Sequence, residues 1–383
     1  MRIVFLGVPA WGHVNPTIGV AGELVRRGHE VVYHCGEPHR AAIEKTGAAF
    51  RAYEPDAIEN DMPHDGDVLG LGRIVVEASR KIVPAILPEL RADPPDVIVH
   101  DSLAPWGKEL ATTLGLPAVC STTTFIFDRR VAFSRPRLLA GVLARQAMHP
   151  ASVRDVPALL EAITSRESVN VVYTSRALQP FGDEYDERFV FVGPIMRDEP
   201  PLDDELAALD APIYVTLGTL FNDRPAIFRA AADGLADLGH PIVISTGGRL
   251  DPASLGALPR TVTVRDWIPQ IALLRKATLA VTHAGMNSVN EALYFDVPLV
   301  LVPQAADQTW VARRIAELGA GLVVRDATAD ALRDAAARAL QDDALHEAAR
   351  LVGASLRAAG GAERAADAIV AAATSRSAPP APY

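Results

Sequence analysis

Residues 1–35 read MRIVFLGVPAWGHVNPTIGVAGELVRRGHEVVYHC. Ile3–Val8 is a short continuous apolar run, the pattern of a strand buried on both faces of a parallel sheet. From Thr17 to Arg27 the apolar residues Ile18, Ala21, Leu24 and Val25 recur at helical spacing, and Gly28 supplies a C-terminal stop. Glu30–Cys35 then returns to a strand. Strand, helix and strand in so short a span make a βαβ unit, which implies a right-handed crossover and parallel strands. The expected fold class is α/β.

The same logic extends outward. Asp96–His100 reads as a strand followed by a helix from about Trp106 to Leu114, and Ala118–Ser121, Asn170–Thr174 and Phe189–Val192 read as later strands of the same sheet. Gly193–Asp204, with Pro194, Pro200, Pro201 and several acids, has the composition of a linker. Strands restart at Ile213–Leu217 and continue through Ile242–Thr246, Val262–Val264, Leu279–Thr282 and Leu299–Val302. The expectation is two doubly wound, Rossmann-like parallel sheets, the first over residues 1–198 and the second over 199–360. Their strand carboxyl ends would face a shared cleft, where open α/β sheets bind ligands. Residues 361–383 add a last helix, about Gly361–Ala373, and a flexible tail with three prolines.

Length and composition agree. A chain of 383 residues exceeds the ~250–300 at which single cores stop growing. Hydrophobic content of 49% with only 6% aromatics describes an aliphatic interior suited to α/β layers. A net charge of −10 without a dense basic run argues against nucleic acid and anionic membranes as partners. A local nest of backbone N–H groups can still bind an anionic diphosphate. The two cysteines, Cys35 and Cys120, sit in apolar surroundings and read as buried, inert thiols, and no metal-ligand spacing occurs. The apolar start is too short for a signal peptide, and no segment approaches the ~18 apolar residues of a membrane span, so the protein is expected to be soluble and cytoplasmic.

Two regions carry candidate chemistry. His13 follows the first strand among Trp11, Gly12 and Pro16, at the functional edge of the sheet. It reads either as a general base for a hydroxyl or as a residue that only caps the helix. A histidine base needs a group to fix its tautomer, and Asp101 is the best candidate. Asp101 could instead cap the following helix, a task open to Ser102 as well, while strand alternation turns the rival His100 to the other side. In the second half, residues 264–308 read VRDWIPQIALLRKATLAVTHAGMNSVNEALYFDVPLVLVPQAADQ. Trp267 offers a face on which a base could stack, or a core indole. His283-Ala284-Gly285-Met286-Asn287-Ser288 is a small-residue entry to a helix, a setting in which backbone N–H groups and the helix dipole receive phosphate. His283, Asn287 and Ser288 add side-chain donors. Gly218-Thr219 is a second phosphate or sugar contact, or a plain bend. Glu291 completes a Ser288-x-x-Glu291 capping-box pattern. Asp307 and Gln308 suit sugar hydroxyls, or a solvated loop and N-cap. There is neither a Walker loop nor a G-x-G-x-x-G, which weighs against a dehydrogenase.

These residues resemble the UDP-glycosyltransferase superfamily, and within it the bacterial macrolide and natural-product glycosyltransferases. FLGVPAWGHVNPTIGVAGELVRRGHEVVY and the segment from WIPQ to Asp307-Gln308 match independently, in the family's order, while the middle of the chain carries little beyond HDSLAPWG. The resemblance implies the GT-B fold, with the last helix crossing back to the first domain. It implies His13 as the acceptor-activating base and Asp101 as its partner. Trp267, Ile268 and Gln270 would meet the base or ribose, Glu291 the ribose, and Asp307-Gln308 the hexose, with Thr219, His283, Gly285, Met286, Asn287 and Ser288 completing the donor site. The acceptor would be bordered by Trp11, Ile74, Val75 and residues 121–127, including Phe125.

The expected reaction is inverting, metal-independent transfer of a hexose from UDP-glucose or a dTDP-sugar to a hydroxyl of a hydrophobic aglycone, with no cofactor. Fixed dipoles at the donor site would take the place of a metal. Two rivals are a sugar-nucleotide epimerase of similar two-domain fold, whose motifs are missing, and a non-catalytic helper, against which His13 and the complete donor segment argue.

Overall fold

The computed structural model describes residues 1–54, 58, 68–134, 166–219, 222–304 and 307–375. The chain divides into two compact units, Met1–Ile195 with Ala359–Tyr383, and Met196–Ala358. In the first unit, strands β1 (Arg2–Leu6), β2 (Glu30–Cys35), β3 (Ala49–Ala52), β4 (Val97–Asp101), β5 (Ala118–Thr122), β6 (Val169–Val172) and β7 (Phe189–Phe191) form one parallel sheet in the order β3-β2-β1-β4-β5-β6-β7. Its described helices are α1 (Trp11–Arg26), α2 (Arg40–Glu44), α3 (Val68–Ala92), α4 (Pro105–Leu114) and α5 (Arg129–Phe133), together with the helix Gly361–Thr374. Alternation along the strands sorts the core. Ile3, Phe5, Val31, Tyr33, Val97 and Val99 pack with Val14, Ala21 and Leu24 of α1, whereas Val4, Leu6, Val32 and Ile98 pack with Ala78, Ile82, Trp106 and Leu110 of α3 and α4.

The second unit repeats the topology. Strands β8 (Ile213–Thr216), β9 (Ile242–Ser245), β10 (Val262–Arg265), β11 (Leu279–Thr282), β12 (Leu299–Leu301) and β13 (Gly321–Val323) lie parallel in the order β10-β9-β8-β11-β12-β13. The helices are α6 (Asp204–Ala207), α7 (Pro225–Leu235), α8 (Gln270–Leu274), α9 (Met286–Tyr294), α10 (Gln308–Glu317), α11 (Ala329–Gln341) and α12 (Asp343–Arg357). In each sheet the strand order reverses beside the unit's first strand, at β1/β4 and at β8/β11. The connections after those strands leave the sheet on opposite faces, which opens a crevice at its carboxyl edge.

The structure differs from the sequence expectation in three places. Helix α1 begins at Trp11 rather than Thr17, so His13 lies in its first turn and not in a loop. Pro16 lies inside the helix, where it removes a single hydrogen bond, and burial of Val14, Pro16 and Ile18 on the sheet outweighs that loss. The edge strands β3 and β13 are too short for their alternation to stand out. Helix α3, in a stretch to which the sequence reading assigned no element, runs through Pro84 and Pro88.

The helix Gly361–Thr374, labelled α13, belongs to the first unit. Gly361 N–H donates to Val192 O at 2.8 Å, Arg27 Nη1 lies 2.6 Å from Asp367 Oδ1, and Ala365, Ala366, Ile369 and Ala372 enter the first-unit core. Residues 376–383, the expected flexible tail, lie outside the described residues. Among the described residues no helix is long and apolar enough to cross a membrane. Both cysteines are buried, which pushes each thiol up to about 12 and leaves it protonated and unreactive at neutral pH. Ile369→Ala should lower stability by about 2–4 kcal/mol in urea unfolding, through lost burial and the cavity left behind. Arg27→Ala, which removes a half-exposed ion pair, should change it by less than about 1 kcal/mol.

Candidate active site

In the first unit the reversal of strand order brings together the residues that follow β1 and end β4. His13 Nδ1 lies 2.8 Å from Asp101 Oδ2, with the two side chains 19% and 3% exposed. Strand parity makes this possible: Asp101 shares the α1 face with Val97 and Val99. His100 faces the other way, where its Nδ1 meets Asp101 O at 3.0 Å and its Nε2 meets Glu167 Oε1 at 3.3 Å. Asp101 does not cap α4, whose N-cap is Ala104 without a side-chain bond. Its Oδ1 instead accepts from Leu103 N–H at 2.7 Å, an Asx turn that fixes the carboxylate and leaves Oδ2 for the imidazole. Because a carboxylate only accepts, Nδ1 carries the hydrogen and Nε2 the lone pair. Thr123 Oγ1 also reaches His13 Nδ1, at 3.0 Å.

In the second unit the loops after β8 and β11 flank the corresponding reversal. His283 stands at the end of β11, with Nδ1 3.2 Å from Thr282 Oγ1. A Cβ on Gly218 would lie 2.7 Å from its Nε2 and one on Gly285 2.3 Å from it, so only glycine at both places leaves the slot the ring occupies. Burial lowers its pKa to about 4, partly offset by a bond to the Thr216 backbone, and the ring is neutral at pH 7. Ala284 adopts φ 66°, a left-handed conformation uncommon for a residue with a side chain, directly before the helix. Helix α9 then starts at Met286 with Gly285 as N-cap and no side-chain cap, which leaves its first-turn N–H groups suited to an anion. Asn287 and Ser288 are half-buried in that turn, while the Met286 side chain is buried. Thr219, after β8, is exposed.

The segment expected to meet the base is arranged around α8. The Trp267 ring is 60% exposed and Ile268 is buried beneath it. Gln270 opens the helix, donating from Nε2 to Glu291 Oε2 at 2.5 Å and accepting from the Tyr214 hydroxyl at 3.1 Å. The capping-box pattern of Ser288 and Glu291 is not realised, because the helix begins at Met286 and puts Ser288 inside it. The Glu291 carboxylate is buried and also accepts from Arg197 Nη1 at 2.5 Å. Asp307 is the N-cap residue of α10 but makes no side-chain cap bond, and Gln308 Oε1 holds the preceding loop by accepting from Gln304 N–H at 2.8 Å.

Of the residues expected to border an acceptor, Trp11 keeps exposed ring surface, at 36%, and packs edge-on to His39 at 4.4 Å between centroids. Phe125 and Ile74 are buried, and Val75 is part of the first-unit core. Sequence reasoning passed over Tyr214 and Arg197 as site residues, and included Thr123 only within residues 121–127 bordering an acceptor, not as a partner of His13. Thr123 follows a strand end, a usable signal, whereas Tyr214 and Arg197 reach the site only through tertiary contacts.

Comparison with known proteins places this geometry. Residues 229–370 match the family described as Erythromycin biosynthesis protein CIII-like, C-terminal domain. The chain is 31% identical to NDP-glycosyltransferase YjiC of Bacillus licheniformis, over 96% of each. It is also 31% identical to the oleandomycin glycosyltransferase of Streptomyces antibioticus, over 96% of this chain and 90% of that one. Its structure matches CalG4, the calicheamicin glycosyltransferase, with a TM-score of 0.80 at 31% identity, covering 97% of this chain and 98% of the other. Fold and relatives together define a glycosyltransferase of the GT-B class. The chain belongs to the UDP-glycosyltransferase superfamily, among its macrolide and natural-product members. Membership decides for a transferase over the epimerase.

The lowered His283 pKa fixes a pH dependence. Between pH 6.5 and about 4 the unfolded chain binds a proton that folded His283 refuses, so the stability contribution is fully present above pH 6.5 and falls as pH drops toward 4. The span is about 3 kcal/mol. His34, with its pKa also near 4 through burial, acts with the same sign. Urea unfolding at pH 7.0 and 4.5 should show His283→Gln losing part of this acid sensitivity, and an unchanged difference would refute the assignment.

Proposed function

We propose that this enzyme transfers a hexose, with inversion and without a metal, from UDP-glucose or a dTDP-sugar to a hydroxyl of a hydrophobic small molecule such as a macrolide, polyketide, flavonoid or other phenol. The observation that carries the reading is the contact of His13 Nδ1 with Asp101 Oδ2 at the strand-order reversal of the first unit. It equips Nε2 to take the proton of an acceptor hydroxyl, while the carboxylate stabilises the imidazolium that results. The acceptor oxygen forms its bond to the anomeric carbon from the face opposite the diphosphate. The bond from that carbon to the diphosphate oxygen breaks, and the electron pair leaves with the nucleoside diphosphate.

Negative charge grows on the leaving group in that step. The uncapped start of α9 and the neutral His283 supply fixed donors for it in the second unit, which supports a reaction that needs no metal. Trp267 offers a stacking face for the base, and Glu291 with Gln270 offers acceptors and donors for the ribose. Asp307 and Gln308 serve the hexose hydroxyls. The named oleandomycin and demethyllactenocin transferases among the relatives, each about 30% identical over 96% of this chain, support macrolide-like acceptors.

Incubating the purified protein with UDP-glucose and a panel of phenols and macrolides in EDTA, followed by mass spectrometry, tests the whole reading. A product heavier by one hexose is expected, and a product formed only when a divalent cation is restored would overturn metal independence. His13→Ala should lower turnover by at least about 100-fold with nearly unchanged affinity for the nucleoside diphosphate, as expected for removal of a general base. Turnover within a few-fold of wild type would remove His13 from that role. Asp307→Ala should weaken the intact sugar nucleotide more than the free diphosphate in calorimetric titrations, and equal weakening would mean that the acid does not read the sugar.

A further inference from the structure

Arg197 lies in a stretch without regular structure, ahead of the first helix of the second unit, yet its guanidinium is largely buried. Nη1 is 2.5 Å from Glu291 Oε1 and Nη2 is 2.7 Å from Glu199 Oε1, and the three side chains are 20%, 4% and 6% exposed for Arg197, Glu291 and Glu199. Burial opposes the charge on Arg197, but the pull of Glu291 and Glu199 outweighs it and raises its pKa. Glu199 Oε2 accepts from Ile271 N–H at 2.8 Å, which fastens the same cluster to the start of α8 just after the Trp267 turn. Tyr214 completes the chain. Its hydroxyl donates to Gln270 Oε1, so the amide is obliged to present Nε2 to Glu291.

This cluster holds one cation against two carboxylates. Glu199 Oε1 is met by the Arg197 guanidinium at 2.7 Å, and burial, only partly offset by that cation, raises the Glu199 pKa. Each Glu291 oxygen has one protein donor and capacity for another. A buried site with surplus negative charge and spare acceptors favours a ligand that brings neutral O–H donors. A ribose diol is such a ligand.

We propose that Arg197 is a positioning residue for nucleotide recognition: it holds the Glu291 carboxylate in the orientation from which it accepts from the ribose hydroxyls, and so, of the two donors named above, favours UDP-glucose over a dTDP-sugar, whose nucleotide is a 2′-deoxyribonucleotide. The inference rests on the ribose role given to Glu291 above. Arg197 itself is not required to touch the nucleotide. A lysine could keep the charge but could not span both acids with a planar fork.

The test is calorimetric titration of the full-length protein with UDP and with 2′-deoxyuridine 5′-diphosphate. Wild type, Arg197→Met, Arg197→Lys and Glu291→Ala are compared, with circular dichroism to verify folding. Wild type should bind UDP at least tenfold more tightly than the deoxy form. Arg197→Met should bring that ratio to within about twofold of unity by weakening UDP, with the deoxy ligand little affected, and Arg197→Lys should recover part of it. The double variant Arg197→Met/Glu291→Ala should be no worse than Glu291→Ala alone. Equal weakening of both ligands by Arg197→Met would show a purely structural arginine and overturn the proposal, as would an unchanged ratio. If Arg197→Met does not fold, an unchanged ratio in Arg197→Lys overturns it in the same way. A wild type that does not distinguish the two ligands, with Glu291→Ala equally indifferent, would instead remove the ribose role of Glu291 on which the inference stands.

Discussion

Parallel strands all point their carboxyl ends the same way, and a sheet of them therefore gathers every outgoing connection on one edge. The order β3-β2-β1-β4 then sends the connections after β1 and β4 to opposite faces, and the second unit does the same at β8 and β11. The histidines of both units hang on that constraint. His13 leaves one side of the first crevice and Asp101 ends the strand on the other, 88 residues apart in sequence yet in hydrogen-bond contact. Gly218 and His283 stand in the matching places of the second sheet, close enough that the ring fills the space a side chain on the glycine would take.

The two sites differ in how they treat charge. In the first, a buried carboxylate meets a histidine that keeps some exposure, so proton exchange with a substrate hydroxyl is open to it. In the second, the histidine is held neutral by burial, and the α9 start beside it has no side-chain cap, so its partial positive charge is not offset by a capping side chain. Two histidines at corresponding strand-order reversals are thus given different surroundings, one bonded to a buried carboxylate and the other held neutral by burial. The backbone is drawn into this as well, since Ala284 holds a left-handed conformation between the histidine and the helix.

Much of this was readable from residue order, because it is local or periodic. Leu279–Thr282 and Glu30–Cys35 emerge with the bounds their apolar runs indicate. Alternation alone separated Asp101 from His100, since neighbouring strand residues face opposite sides. What escaped was decided by tertiary packing. Pro16 is a local breaker that burial overrides, and the three-residue strand β13 is too brief for a period to appear. Arg197 gave no signal at all: it sits among acids and prolines in what reads as a linker, and its partner Glu291 is 94 residues away. The capping box, an alternative reading of Ser288 and Glu291, is not realised for a related reason, because a four-residue motif cannot reveal that the helix had already begun at Met286.

The first unit is not continuous in the chain. Its sheet is finished at Phe191, but the helix that covers Val97, Val99 and Val171 starts only at Gly361, after the whole of the second unit. On a ribosome elongating at about 5–20 residues per second, that gap amounts to roughly ten to thirty seconds. During that interval the second unit, which is unbroken in sequence, is synthesised, while the face formed by Val97, Val99 and Val171 waits for its last covering helix. The first unit, although begun first, is therefore the last to have all its parts, and its core closes only once Ala365, Ala366, Ile369 and Ala372 have been made.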